Sequence, residues 1–263
     1  MRAARCVLRL LPDRALFVRE ERASWGSPHQ EVSRQVATIA TLADLGGVLP
    51  DLLAEQARGV REIDVIVGDG FCRFLCIDRP SGTRALRDLD ALARMRFQES
   101  FGDAIDDWRL LADRSPFSAR DLVVAMPQTL IDVLEAGLKS EGKRTSRIAP
   151  FWVRCANASG IDAQGRRWVV ASEPGTHTLA LFDGHACIGI RRVRRADEDA
   201  LDVLLAREQS LYAEADGSGA EPAVSAWGMK LPRIPGWRLV GGEAPRGVPS
   251  LDGSAASPLG AMQ

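Results

Sequence analysis

Three histidines, five cysteines and a few glycine-flanked acids are the residues of this 263-residue chain with the chemistry to catalyse or to bind. His29, His177 and His185 lie far apart in sequence. The last two flank one expected hairpin and could approach each other, but no carboxylate or cysteine trio accompanies them at ligand spacing. They read as satisfied or exposed imidazoles. Cys6, Cys72, Cys76, Cys155 and Cys187 form no C-x-x-C pair and no metal-ligand spacing. They read as small packed thiols in a reducing compartment, with Cys72 and Cys76 on one face of a strand. Gly68-Asp69-Gly70 reads as a plain turn. The chain carries no G-x-x-x-x-G-K-[ST] phosphate loop, no G-x-G-x-x-G, no G-x-S-x-G elbow and no H-E-x-x-H. No catalytic residue, resident metal or cofactor is therefore expected.

Charge narrows the partner classes. The formal net charge is −1, with acids balancing arginines along the chain, so it lacks the basic excess of a nucleic-acid surface. The densest basic cluster, Arg191-Arg192-Val193-Arg194-Arg195, reads as a solvated strand end beside Asp197, Glu198 and Asp199, with attraction of anionic headgroups or an acidic partner as the other reading. Glu208, beside Arg207, falls on the apolar side of a helix and reads as a charge at its rim. No apolar run reaches the ~20 residues that span a bilayer. The amino-terminal apolar stretch is interrupted by Arg9 and runs into a Pro-Asp turn, unlike a signal peptide. A cytoplasmic protein without a direct membrane span is expected, with recruitment to the inner membrane face only through a partner.

The elements that must position these residues follow from periodicity and punctuation. Residues 6–10 and 15–19 read as a hairpin around Pro12-Asp13-Arg14, with 32–39 as an edge strand and 45–58 as a helix carrying Pro50 near its start. Residues 62–67 (E-I-D-V-I-V) are a strand, 71–77 a further extended segment, and 86–101 a helix with a broad apolar stripe. Strands at 108–112 and 121–126 precede an amphipathic helix over 128–141 that Gly142 stops. The pattern restarts near residues 147–150 with a short helix over 151–158, then strands at 167–172, 176–182 and 185–192. A helix over 197–212, capped by Asp197, and short strands at 223–227 and 237–240 complete the order. From Pro245 the composition collapses to Gly, Ser, Ala and Pro, so a disordered tail is expected over 245–263.

The two halves thus echo one another in topology without repeating in sequence. A β-β-β-α-β-α unit used twice is the plan of the ribonuclease-H-like, actin-like ATPase fold. The expectation is an α/β protein with two related lobes around a cleft: residues 1–147 as the first lobe and 148–244 as the second, smaller one.

Three stretches carry a family resemblance. The passage 64–80 (D-V-I-V-G-D-G-F-C-R-F-L-C-I-D-R-P), the helix end 92–102 followed by Trp108, and 121–142 with Ile148-Ala149-Pro150 resemble the actin-like proteins of pilus and secretion machines, the type IV pilus protein PilM and the cytoplasmic domain of the type II secretion component GspL. The resemblance covers most of residues 6–192 and implies two lobes, a nucleotide position between them, and a groove in the first half for the amino-terminal peptide of a PilN-type inner-membrane protein.

The departures bear on chemistry. The fold's ATPases place a D-x-G turn in the first hairpin; here Leu11-Pro12-Asp13-Arg14 has no glycine. In the second hairpin the aspartate position is Ala171 or Ser172, although Gly175 and Thr176 look actin-like. Leu239–Ala244 resembles the adenosine motif through Gly241 and Gly242, but Pro245 and Gly247 break the helix that should follow. Gly175, Thr176, Gly241 and Gly242 are therefore vestigial cofactor-binding candidates. Loss of the acid–glycine turns that anchor metal and phosphate implies a pseudo-ATPase scaffold. The alternative is an actin-like ATPase that binds ATP and Mg²⁺ through non-standard turns.

Overall fold

A computed structural model describes residues 4–21, 31–82, 85–102, 104–114, 118–160, 166–194, 201–212, 223–230, 233–234, 236–245 and 248–251. The chain opens with β1 (Ala4–Leu11), β2 (Arg14–Glu21) and β3 (Glu31–Thr38), an antiparallel meander. Helix α1 (Leu42–Gln56) follows, started by a capping box: the Thr41 hydroxyl accepts from the Asp44 amide while the Asp44 carboxylate accepts from the Thr41 amide. Because this cap sets the start at Leu42, Pro50 lies inside the helix rather than near its start, a correction to the sequence expectation. Strand β4 (Glu62–Val67) then pairs parallel to β1. The one inward acid of β4, Asp64, is ringed by Arg5, Arg147 and Arg154 at 2.8, 3.1 and 3.3 Å.

Strand β5 (Arg73–Asp78), helix α2 (Leu86–Phe101), β6 (Trp108–Asp113) and β7 (Arg120–Pro127) form a separate three-stranded sheet in the order β5-β7-β6. Helix α3 (Gln128–Ser140) packs on α1 and leads into β8 (Arg144–Pro150). This strand joins the first sheet parallel to β4, giving the order β3-β2-β1-β4-β8. It carries the first sheet to Pro150, past the lobe boundary expected at 147.

Helix α4 (Phe151–Ala158) connects to the second half: β9 (Arg166–Glu173), β10 (Thr176–Asp183), β11 (Ala186–Arg194), α5 (Leu201–Ser210), β12 (Ala223–Trp227) and β13 (Arg238–Gly242). Its sheet runs β11-β10-β9-β12-β13, with β9 and β10 antiparallel and β9, β12 and β13 parallel. The two five-stranded sheets therefore share one plan: a meander whose first strand also leads to two later parallel strands. Asp197, expected to cap α5, lies outside the described residues.

One apolar core joins the halves. It takes Leu8 and Leu10 from β1, Val65 and Val67 from β4, Trp152 and Cys155 from α4, and Val169, Ala171, Ala180 and Phe182 from the second sheet. Trp152 stacks on Phe182 with ring centroids 6.0 Å apart and meets Phe74 edge-on at 5.9 Å. A second core, built on Trp168, Leu179 and Leu205, fills the opposite face of the second sheet. Within the segment expected as a loose tail, Val248 and Ser250 are instead buried against the body; residues 252–263 lie outside the described part.

Candidate functional site

A buried polar cluster lies between the β1–β2 and β9–β10 hairpins. Arg9 interrupts the otherwise apolar run of β1, yet its side chain is fully buried. Such a charge persists only when paired and hydrogen-bonded. Its Nη2 donates to Oε1 of Glu173 at 3.0 Å, its Nη1 donates to the Pro249 carbonyl at 2.8 Å, and its guanidinium lies 4.0 Å from the centre of the Phe151 ring. Glu173 ends β9, so this pair bridges the hairpins of the two sheets. The expected tail supplies part of the seal.

Glu173 also reaches the first half. Its Oε2 accepts from the Asp69 amide at 2.6 Å. Asp69 sits in the turn after β4, fully buried, and its Oδ1 accepts from the Trp152 amide at 2.9 Å. Pro150, at the cap position of α4, has no capping side chain. Asp69 satisfies that helix start from across the chain, 83 residues away. Gly68 allows the turn: its amide donates to the Leu10 carbonyl at 2.7 Å, and a Cβ there would stand 2.8 Å from that oxygen. From the other side Arg192 Nη1 donates to the carbonyls of Asp69, Gly70 and Cys72 at 2.8, 3.0 and 2.8 Å.

Two acids share this enclosed space. Burial pushes the Asp69 carboxyl well above the usual carboxylate range, and the neighbouring Glu173 charge pushes it further; the Trp152 amide opposes both. Burial also raises Glu173, against the pull of Arg9. With one arginine for two carboxyls, the arrangement holds Glu173 as the ionised partner of Arg9 and Asp69 as the group that keeps a proton. Sequence reading placed the second hairpin's missing acid at Ala171 or Ser172. The structure puts a carboxylate one residue further on, at Glu173, and turns it inward on Arg9.

The four vestigial candidates lie on two parts of the second sheet, the β9–β10 hairpin and β13. Gly175 makes the β9–β10 turn at φ +76°, with open space where a Cβ would stand, and the Thr176 hydroxyl donates to the Val193 carbonyl of β11 at 3.1 Å. Gly241 and Gly242 lie in β13, where Gly241 rests directly on the Ala226 carbonyl of β12. Their neighbours converge. Arg14, Pro174, Gly228, Lys230 and Glu243 surround an open pocket of about 480 Å³, floored by Glu173. Asp13 turns outward, exposed and paired with Arg14 at 3.0 Å.

A second cavity of about 390 Å³ is apolar. Leu111 of β6, Leu122 and Val124 of β7, Val153 of α4 and Phe182 of β10 line it, with Trp152 at its base and Asp113, Arg120 and His185 at its rim. His185 is exposed there, while His177 is buried at the other end of β10, so the two do not meet. Glu208 is buried rather than at a helix rim and pairs with Arg191 at 3.2 Å. Among the described residues no cluster of His, Cys, Asp and Glu has metal-binding proximity, and no helix is long and apolar enough to cross a membrane.

No family model and no curated protein sequence matches the chain. Solved structures do. The cytoplasmic domain of EpsL, an inner-membrane component of the type II secretion system of Vibrio cholerae, is similar over 90% of this chain and 86% of its own, with 15% identity and a TM-score of 0.50. A PilM-PilN type IV pilus biogenesis complex matches over 84% of this chain and 81% of the compared chain, with 13% identity and a TM-score of 0.56. A Bacteroides thetaiotaomicron protein of actin-like ATPase fold and unknown function matches over 86% and 82%, with 7% identity and a TM-score of 0.54. The chain has the two-lobed actin-like fold, as the sequence resemblance implied.

Proposed function

From that fold and its filled centre, we propose that this chain is a non-catalytic actin-like scaffold in an assembly of the type IV pilus or type II secretion kind, receiving a short peptide of an inner-membrane partner. One observation carries the reading. Between the two hairpins, where the resemblance implies phosphates and metal would lie, stand the chain's own Arg9 and Glu173, both buried and sealed by Pro249 and Phe151. Phosphates entering there would meet Glu173 and strip Arg9 of its partner, and breaking a buried pair costs about 3–5 kcal/mol.

The apolar cavity offers the seat for a partner. It is walled by β6 and β7 of the first half, the connecting helix α4 and β10 of the second half, and its charged rim can orient a peptide backbone while apolar side chains enter. Similarity to PilM within a PilM-PilN complex and to the cytoplasmic part of an inner-membrane secretion component supports a PilN-type partner and a place on the cytoplasmic side of that membrane. The deciding experiment is fluorescence anisotropy with an apolar, proline-bearing amino-terminal peptide of a PilN-type protein. Saturable binding at micromolar concentration is expected. No binding at several hundred micromolar overturns the reading.

The open pocket of about 480 Å³ gives the alternative its one foothold, since Arg14 and Lys230 there could meet an anionic ligand beside the β12 and β13 ends. Calorimetric titration with Mg-ATP separates the two. The scaffold predicts no heat at millimolar nucleotide; saturable heat with hydrolysis would establish the ATPase instead.

A further inference from the structure

Cys76 and Cys187 come from different sheets and face each other, Sγ to Sγ at 3.5 Å. Cys76 lies on β5 opposite Leu122 of β7; Cys187 lies on β11 opposite Phe182 of β10. Leu122, Phe182 and Cys187 all line the apolar cavity. The backbones of β5 and β11 are already held side by side, since Arg192 of β11 donates to the carbonyl of Cys72 immediately before β5. We propose that Cys76 and Cys187 are a thiol pair that a small-molecule disulfide oxidises to a cross-link, fixing the three-stranded sheet to the second five-stranded sheet at the wall of the cavity. The sulfurs need approach by only about 1.5 Å to reach bonding distance.

The surroundings order the steps. Cys76 is half-buried, with a route to solvent, and its thiolate is favoured by the Cys187 S–H that donates to it and by Arg120. Cys187, Cys72 and Cys155 are buried with their thiols held in the neutral form. The Cys76 thiolate attacks one sulfur of the external disulfide, forming a mixed disulfide and releasing one small thiol. Cys187 gives its proton to solvent and attacks Cys76 Sγ; the second small thiol leaves with a proton. Two electrons and two protons pass from the pair to the external disulfide, and the product is one internal cross-link and two small thiols. The 111-residue separation of the pair makes the bridge a strong constraint on the unfolded chain. The chemistry holds whatever occupies the cavity.

The test uses the full chain and oxidised glutathione. After reaction, remaining thiols are alkylated under denaturing conditions and the protein is digested for mass spectrometry. The expected result is one linked peptide pair, Cys76 to Cys187, with two of the five cysteines protected from alkylation. The melting temperature should rise by about 5 °C or more and fall back with dithiothreitol. Cys187→Ser should stop at a glutathione adduct on Cys76, and Cys76→Ser should leave Cys187 unmodified. A wild-type protein that stops at the Cys76 adduct, links another cysteine, or shows no reaction overturns the proposal.

Discussion

Arg9 and Glu173 are 164 residues apart in sequence and 3.0 Å apart in space, and both side chains are shut away from solvent. One comes from the first strand of the first sheet, the other from the first strand of the second. The pair thus pins the two correspondingly placed hairpins together at the centre of the molecule. Removing one partner should leave the other charged and unpaired. Arg9→Met is expected to lower stability by about 3–5 kcal/mol, whereas Arg9→Met with Glu173→Leu should recover most of the loss. Urea denaturation of the single and double variants measures this coupling. A single variant within about 1 kcal/mol of wild type would show that the pair holds nothing.

Asp69 gives a pH dependence with a definite sign. Its folded-state pKa is raised by burial and by Glu173, so the folded chain binds its proton more tightly than the unfolded chain does. Stability from this group is complete below the ordinary carboxylate pKa of about 4 and is lost as pH climbs toward the raised folded value. Burial raises Glu173 in the same sense, but Arg9 and the Asp69 amide oppose the shift and hold it as the ionised member of the pair. Asp69→Asn keeps an oxygen for the Trp152 amide and cannot ionise. Wild-type stability should decline as pH rises above the ordinary carboxylate range, and the asparagine variant should show a flatter profile and gain stability at the alkaline end. Thermal melts at a series of pH values decide it.

These two predictions rest on residues that the sequence shows but does not connect. Strand β4, with its Val65-Ile66-Val67 run, and α3, with its stripe of Leu130, Ile131, Leu134 and Leu138, are legible because their neighbours in sequence carry the pattern. The order of hairpins and helices makes the fold readable through its repetition. Strand β8 is not legible, because Arg144 and Arg147 sit on an edge strand whose outer face is solvated, leaving only Ile148 and Ala149 as apolar signal. Arg9 reads as an interruption until its partner is known, and nothing in a Glu-Pro-Gly turn marks Glu173 as that partner. Asp69 reads as a turn residue because the helix start it satisfies lies across the fold. Long-range polar pairs have no period, so only the assembled topology reveals them.

Leu111 separates binding from folding in the apolar cavity. It lines the cavity wall and remains 49% exposed, so a charge there is hydrated rather than trapped. Leu111→Glu should change the melting temperature by less than about 3 °C. Placed among apolar neighbours, the carboxylate should weaken capture of an apolar peptide by about tenfold or more, an effect of about 1.4 kcal/mol. Anisotropy with the PilN-type peptide, read beside a melt of the same variant, tests the pair of outcomes. Unchanged affinity would place the peptide elsewhere.

Gly241 and Gly242 are adjacent in sequence, but their surroundings in β13 differ. Gly241 has φ +129°, and a Cβ there would collide with the Ala226 carbonyl oxygen of β12. That oxygen belongs to backbone within a parallel strand pair and cannot swing aside without breaking the sheet. Gly242 has no atom near its Cβ position, and its carbonyl accepts from the Gly228 amide at 2.9 Å through a group that alanine retains. Gly241→Ala should therefore cost more than about 3 kcal/mol through combined backbone strain and collision, while Gly242→Ala, at φ +159° with nothing to collide with, should cost only the backbone strain, about 1–3 kcal/mol. Denaturation of the two variants checks the contrast. If the glycines served a nucleotide instead of the sheet, both alanine variants would fold normally and differ from wild type only when Mg-ATP is present.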